Sequence, residues 1–218
     1  MPCPPSSGNP ELNQTNDFAN LTIGVVAMQG AFIEHVRAVE ALGARAREVR
    51  LPSDLAGLDG LILPGGESTS IGKLLVEFGL LEPLREWARG GRPIYGTCAG
   101  AILLARDIGG LDQPLLGVLD IKVQRNAFGR QLQSFETPLN VPALGAEPFP
   151  AIFIRAPAIE SIGPGVTTLA SLQDGRIVAA EAGPVLVTCF HPELTVDRRF
   201  HRHFLERVRA AQARATPA

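Results

Sequence analysis

Cysteine is scarce in this chain: Cys3, Cys98 and Cys189 are the three among 218 residues. Three scattered thiols make no disulfide framework, so a reducing cytoplasm is the expected compartment. An excess of charge of one sign is also missing, since 20 Lys and Arg stand against 22 Asp and Glu. A formal charge of −2 gives no grip on a nucleic-acid backbone or an anionic membrane surface. No apolar run is long enough to cross a bilayer. Paired CxxC, HExxH, Walker and GxGxxG motifs are all absent, and no internal repeat is visible.

What the chain does have is apolar bulk, 45% of residues, enough for one α/β domain with a substantial core. That domain is expected over residues 21–213. Residues 1–20 are polar and rich in proline, with no cationic start or apolar core, so they do not read as a secretory signal. They read as a disordered extension or a product of start-site choice.

The segment that organises the rest is Pro93-Ile94-Tyr95-Gly96-Thr97-Cys98-Ala99-Gly100-Ala101-Ile102. A β-prone run ends in glycine, a cysteine follows, and a second glycine opens an apolar helical run. G-x-C-x-G between strand and helix is the thiol form of a nucleophile elbow, which lifts one side chain clear of the sheet. The helix N-terminus is expected to favour thiolate at Cys98. Taken alone, the thiol reads more plainly as a small buried cysteine at a strand–helix junction. The two glycines shift the balance.

A base is available far downstream. Val185 to Phe190 reads as a buried strand, with His191-Pro192-Glu193 at its end. Residues two apart in an extended segment share a face, so Glu193 can fix the tautomer and orientation of His191. The plainer reading is a strand-capping histidine near an exposed glutamate. The elbow upstream makes the catalytic reading stronger.

Strands are expected at 21–28, 46–51, 60–63, 116–123, 151–154 and 185–190. Gln173-Asp174-Gly175 marks a hairpin between 166–172 and 176–180. Helical periodicity joins Phe32, Val36, Val39 and Leu42, then Ile71, Leu74, Leu75 and Phe78, with another helix before the elbow strand. Strands alternating with helices predict an α/β fold: three layers, a mostly parallel sheet flanked by helices, and a small antiparallel extension. Sites in such sheets lie beyond the carboxyl ends of the strands. Gln29, Gly65, Gly66, Glu67, Cys98 and His191 all fall at such ends. The glycines of Pro64-Gly65-Gly66 can aim backbone N–H groups at a tetrahedral oxyanion, with the Ala99 N–H as a second donor. Ser68 or Thr69 is expected to cap the helix that follows.

Residues 142–150 read as a Pro-rich surface connection. Arg125 and Arg155 are candidates to clamp a carboxylate, although either reads alone as a solvated loop charge. In the last helix Val196, Phe200, Phe204 and Val208 should face the core. Arg198, Arg199, Arg202, Arg207 and Arg209 should form a solvated face. His35 reads as a surface residue, with support of the site as the second reading, and His201 and His203 lack metal-ligand company.

These segments together resemble the class I, triad-type glutamine amidotransferases, whose fold is flavodoxin-like. More narrowly they resemble the glutaminase subunits of the two-component pyridoxal 5′-phosphate synthase. The matching segments are Met28-Gln29-Gly30, Leu63-Pro64-Gly65-Gly66-Glu67-Ser68-Thr69, Gly96-Thr97-Cys98-Ala99-Gly100, Arg125-Asn126-Ala127-Phe128-Gly129-Arg130-Gln131, Phe153-Ile154-Arg155-Ala156-Pro157 and Phe190-His191-Pro192-Glu193-Leu194-Thr195. They run in family order over about residues 21–208. The resemblance implies Cys98 as nucleophile, His191 as base and Glu193 as its orienter. It implies Gly65, Gly66, Glu67, Arg125, Ile154 and Arg155 as glutamine contacts, and Gln29 near the oxyanion site and partner interface. The implied reaction hydrolyses L-glutamine through a γ-glutamyl thioester, and no metal or organic cofactor is implied for this subunit. Its ammonia would pass to a TIM-barrel synthase subunit in a large hetero-oligomer, with docking completing the oxyanion site by a peptide flip at 65–66. The alternatives are service to another acceptor, such as imidazole glycerol phosphate synthase, or a non-catalytic glutaminase-like binding module. A DJ-1-type hydrolase shares the elbow but fits the terminal His-Pro-Glu poorly.

Overall fold

The structure, a computed structural model, describes residues 18–129 and 134–215. The first half is built of β1 (Thr22–Val26), α1 (Phe32–Ala41), β2 (Arg45–Val49), β3 (Gly60–Leu63), α2 (Ser68–Glu77), α3 (Leu81–Arg89), β4 (Ile94–Thr97) and α4 (Ala99–Leu104). The second half holds β5 (Ala105–Asp107), β6 (Leu119–Gln124), β7 (Ser134–Leu139), β8 (Phe149–Ile154), β9 (Ala158–Ile162), β10 (Thr167–Ser171), β11 (Ile177–Ala182), β12 (Val185–Thr188) and α5 (Arg199–Ala215).

The main sheet runs β2-β1-β3-β4-β12-β11-β9-β6-β5, with β10 paired to β11. From β2 to β12 every pairing is parallel. β3, β4 and β12 are buried at every residue, as parallel strands covered on both faces must be. This is the expected α/β architecture. The main sheet is mixed beyond its parallel half, because β12 also pairs antiparallel with β11 and β9 pairs antiparallel with both β11 and β6. The Gly183-Pro184 connection, with Gly183 at φ 50°, is too short for anything but an antiparallel return. A separate hairpin pairs β7 with β8.

Sequence periodicity misplaced several segments. Phe18, inside the expected extension, is 1% exposed, and the guanidinium groups of Arg202 and Arg209 lie over its ring. Residues 1–17, with Cys3, lie outside the described residues, as do Arg130 and Gln131. Residues 142–150 are not all surface: Phe149 opens β8, fully buried against Phe190 and Phe200. Val196 is 94% exposed and precedes α5 instead of packing on the core. The helix starts later because the Asp197 carboxylate accepts from the Arg199 N–H. Nor do the α5 arginines form a free solvated face, since Arg199 pairs with Asp197 and Arg207 with Glu181.

Candidate active site

The register of the two central strands sets the geometry. Thr97 of β4 lies opposite Thr188 of β12, so both chains leave the sheet side by side. Cys98 donates its N–H to the Thr188 carbonyl at 2.8 Å, then turns at φ 48°, ψ −103° into α4. The crowded turn requires its glycines. A Cβ on Gly100 would sit 1.9 Å from the Leu63 oxygen, and one on Gly96 would sit 2.7 Å from the Gly100 carbonyl carbon. Cys98 itself is 6% exposed, and Ala99 follows it as the first residue of α4.

His191 arrives from β12, anchored by its N–H to the Ile152 carbonyl at 2.8 Å. Its Nδ1 donates to Glu193 Oε1 at 2.7 Å. Burial opposes charge on this ring, yet hydrogen bonds to Cys98 and Glu193 prevail and push its pKa up to about 10. That shift favours the protonated imidazole beside the sulfur. Gly65 is wedged against both groups: a Cβ there would lie 2.5 Å from His191 Cε1 and 3.2 Å from Cys98 Cβ. Cysteine and histidine, 93 positions apart in the chain, thus share one small space. The second thiol there, Cys189, is fully buried, and burial pushes it well above the usual thiol range.

A cavity of about 270 Å³ opens on Cys98 and His191 and is lined also by Gly66, Glu67, Arg125, Ile154 and Arg155. This is the low end of the range for ligand pockets, room for one amino acid. Ser68, Ile102 and Asn126 line it too, a place that the sequence does not suggest for them. Among the described residues, the three non-glycines with positive φ are Cys98 (48°), Asn126 (50°) and Arg155 (43°), and all three border the cavity. Backbone strain concentrated at one pocket is a mark of function.

Glu67, not Ser68 or Thr69, caps α2. Its carboxylate accepts from Thr69 N at 3.0 Å, Ser70 N at 2.8 Å and Ser70 Oγ at 2.8 Å. Ser68 and Thr69 instead donate to Gln113 Oε1. Slight burial would raise the Glu67 pKa, but these hydrogen bonds bring it down to about 2. Arg125 reaches the same carboxylate at 3.2 Å and also donates to Gln113 and Thr69, which places a carboxylate and a guanidinium side by side on the cavity wall. Gln29 sits close by, accepting a long 3.4 Å bond from Glu67 N. Gly30, at φ 88°, allows that approach, since a Cβ there would lie 1.8 Å from the Gly65 oxygen.

His35 is not at the surface. It is fully buried, with Nε2 at 3.4 Å from Glu193 Oε2 and 3.1 Å from Thr97 Oγ1, and Nδ1 at 2.9 Å from His201 Nε2. A signal existed: His35 lies three residues after Phe32 and four before Val39, on the apolar face of the helix. Among the described residues no cluster of three His, Cys, Asp or Glu side chains could hold a metal. No described helix is long and apolar enough to cross a membrane.

A cysteine elbow, a histidine from a neighbouring strand and a glutamate two residues on, at the carboxyl ends of a parallel sheet, are the arrangement of the triad-type glutamine amidotransferases. Residues 25–210 match the SNO glutamine amidotransferase family, and the chain belongs to it. It is 58% identical over 188 residues to the pyridoxal 5′-phosphate synthase subunit PdxT of Moorella thermoacetica, covering 86% of this chain and 100% of that one. The protein of the same name from Herpetosiphon aurantiacus is 60% identical over 188 residues, covering 85% and 99%. A crystal structure described as a glutamine amidotransferase superposes with a TM-score of 0.81 at 50% identity, covering 85% of this chain and 98% of that one.

Proposed function

We propose that this chain is a glutaminase acting through Cys98, His191 and Glu193, and that it serves as the ammonia-producing subunit of a pyridoxal 5′-phosphate synthase. The observation that carries the chemistry is the meeting of the Cys98 and His191 side chains against Gly65 at the floor of a cavity walled by Glu67 and Arg125. The carboxylate and the guanidinium suit the two charged groups of a free amino acid. The side-chain amide of L-glutamine then extends towards the sulfur.

In this reading the Cys98 sulfur attacks the amide carbon. The C–N bond breaks as His191 passes its proton to the nitrogen, and ammonia leaves. Water, giving a proton to His191, then attacks the γ-glutamyl thioester, and the C–S bond breaks to release glutamate and return the Cys98 thiolate beside a protonated His191. Glu193 holds His191 by its Nδ1–H and makes no bond to substrate. Backbone N–H groups of the Gly66 region and of Ala99 are the oxyanion donors, with Gln29 beside them, and docking of the synthase subunit completes that site. The partner is a TIM-barrel subunit in a large hetero-oligomer, and the compartment is the cytoplasm, in keeping with free thiols at Cys98 and Cys189. The high identity to proteins named as pyridoxal 5′-phosphate synthase subunits supports this acceptor over imidazole glycerol phosphate synthase. The intact Cys98, His191 and Glu193 speak against a non-catalytic module.

The test is ammonia release from L-glutamine by the full chain, with and without the synthase subunit. Release that rises on adding the synthase is expected. No release in either case, together with no labelling of Cys98 by a glutamine-analogue electrophile, would overturn the reading.

A further inference from the structure

Glu193 uses one carboxylate oxygen on His191 and leaves the other, Oε2, buried without a hydrogen bond of standard geometry. A buried carboxylate oxygen needs a donor, or the group drifts from its place. The group that faces Oε2 is His35 Nε2, at 3.4 Å, with Thr97 Oγ1 at 3.1 Å from the same nitrogen. Behind His35 lies His201, its Nε2 at 2.9 Å from His35 Nδ1. His35, His201 and Thr97 are all 0% exposed. Burial lowers the pKa of both histidines, so each carries one ring proton.

Two independent considerations choose where those protons sit. With the proton on Nε2, His35 points a donor at the carboxylate and the threonine hydroxyl; with it on Nδ1, a lone pair would face an anion. His201 Nδ1 has no partner among the described residues. An unmatched lone pair there is less costly than an unmatched N–H, so His201 carries its proton on Nε2 and donates to His35 Nδ1. The two assignments agree and give one directed chain, from His201 to His35 to Glu193 to His191.

We propose that His35 is a positioning residue for the Cys98–His191 pair. Backed by His201, its Nε2–H holds the second oxygen of Glu193, so that the first stays aligned with His191 Nδ1. The three-residue constellation is thus extended inward across α1 and α5, two helices that do not touch the cavity. The inference rests on the glutaminase reading for its functional meaning, but not for its test.

Two measurements test it. In histidine ¹⁵N spectra of the full, unsubstituted chain at pH 7, His35 should be neutral and protonated on Nε2. Protonation on Nδ1, or an imidazolium, would overturn the proposal whatever any variant does. The second measurement is alkylation of Cys98 by iodoacetamide at pH 7, which needs no glutamine and no partner. In His35→Gln the amide nitrogen reaches the place of Nε2, and the rate should stay within about threefold of the parent. In His35→Asn the amide reaches only the place of Nδ1, and the rate should fall by about tenfold, the scale of one hydrogen bond to a charged group. In a Glu193→Gln background His35→Asn should change the rate by less than about twofold, because its effect passes through that carboxylate. A full additive loss in that background, or equal rates for His35→Asn and the parent, would refute the proposal. Losses in both His35 variants that follow their melting temperatures would do the same. Should the parent chain release no ammonia with or without the synthase subunit and escape the glutamine-analogue electrophile while the iodoacetamide pattern holds, the glutaminase reading falls and the positioning role stands.

Discussion

Gly65→Ala is the sharpest perturbation the geometry offers, since one methyl group would enter the space that Cys98 and His191 share. The added carbon would sit 2.5 Å from His191 Cε1 and 3.2 Å from Cys98 Cβ. Ordinary carbon–carbon contact begins at about 3.5 Å, so the imidazole or the loop must give way by about 1 Å. The residue has little freedom: its backbone N–H is tied to the Ile152 carbonyl at 2.8 Å and its ring Nδ1 to Glu193 at 2.7 Å. Moving it by that distance lengthens the Nδ1 bond beyond hydrogen-bond range. A misplacement of about 1 Å costs on the order of 100-fold in turnover. Overpacking a well-filled site costs about 1–3 kcal/mol. In a chain of this size that is a fall in Tm of roughly 2–12 °C. The assay is glutamine hydrolysis with the synthase subunit present, alongside a thermal melt. The loss of rate should exceed anything the melt explains at the assay temperature. Parental turnover with a parental melt would show that the two side chains do not meet at Gly65, and the site geometry argued from it would fail.

Cys98→Ala should bind glutamine and release no ammonia; normal turnover would remove Cys98 as the nucleophile. The same substitution should lower the pKa of His191 from about 10, because Cys98 is foremost among the partners that raise it. The ring C2–H titration by NMR reads this directly, and an unmoved midpoint would refute the pairing. Arg125→Ala should raise KM for glutamine more than it lowers kcat, whereas an unchanged KM would take Arg125 out of the substrate pocket. Glu67 has its pKa depressed from 4.5 to about 2, so its contribution to stability is complete above about pH 4.5 and lost as pH falls through about 2. The stability gap between the parent and Glu67→Gln should therefore shrink between pH 5 and pH 2. A constant gap in urea unfolding over that range would contradict the capping role of the carboxylate.

Much of the site is local in the sequence because its parts are turns. The elbow is legible because a crowded strand–helix junction needs glycine at both Gly96 and Gly100, and Gly100 meets the Leu63 carbonyl at a distance that excludes a side chain. His191 and Glu193 stand two residues apart and do pair, but across a 3-10 turn at Pro192–Leu194 and not along the extended segment that the sequence suggests. By contrast, the sequence points to Ser68 or Thr69 as the cap where the structure uses Glu67. Propensity names the short hydroxyl residues, while here those hydroxyls are taken by Gln113, which only the fold brings near. β9 went unread because its alternation is brief, although it pairs with both β11 and β6.

The sequence by itself determined the alternation of strand and helix, the elbow at Cys98 and the identity of a base and a carboxylate to serve it, since each depends on contacts within a few residues. Only the tertiary structure decided that β4 and β12 lie side by side in matched register. It alone placed Gly65 against both reacting groups and buried His35 and His201 behind Glu193. Those placements depend on contacts between residues 33 to 166 positions apart, and a periodicity of 2 or 3.6 says which face a side chain occupies but not what will stand opposite it.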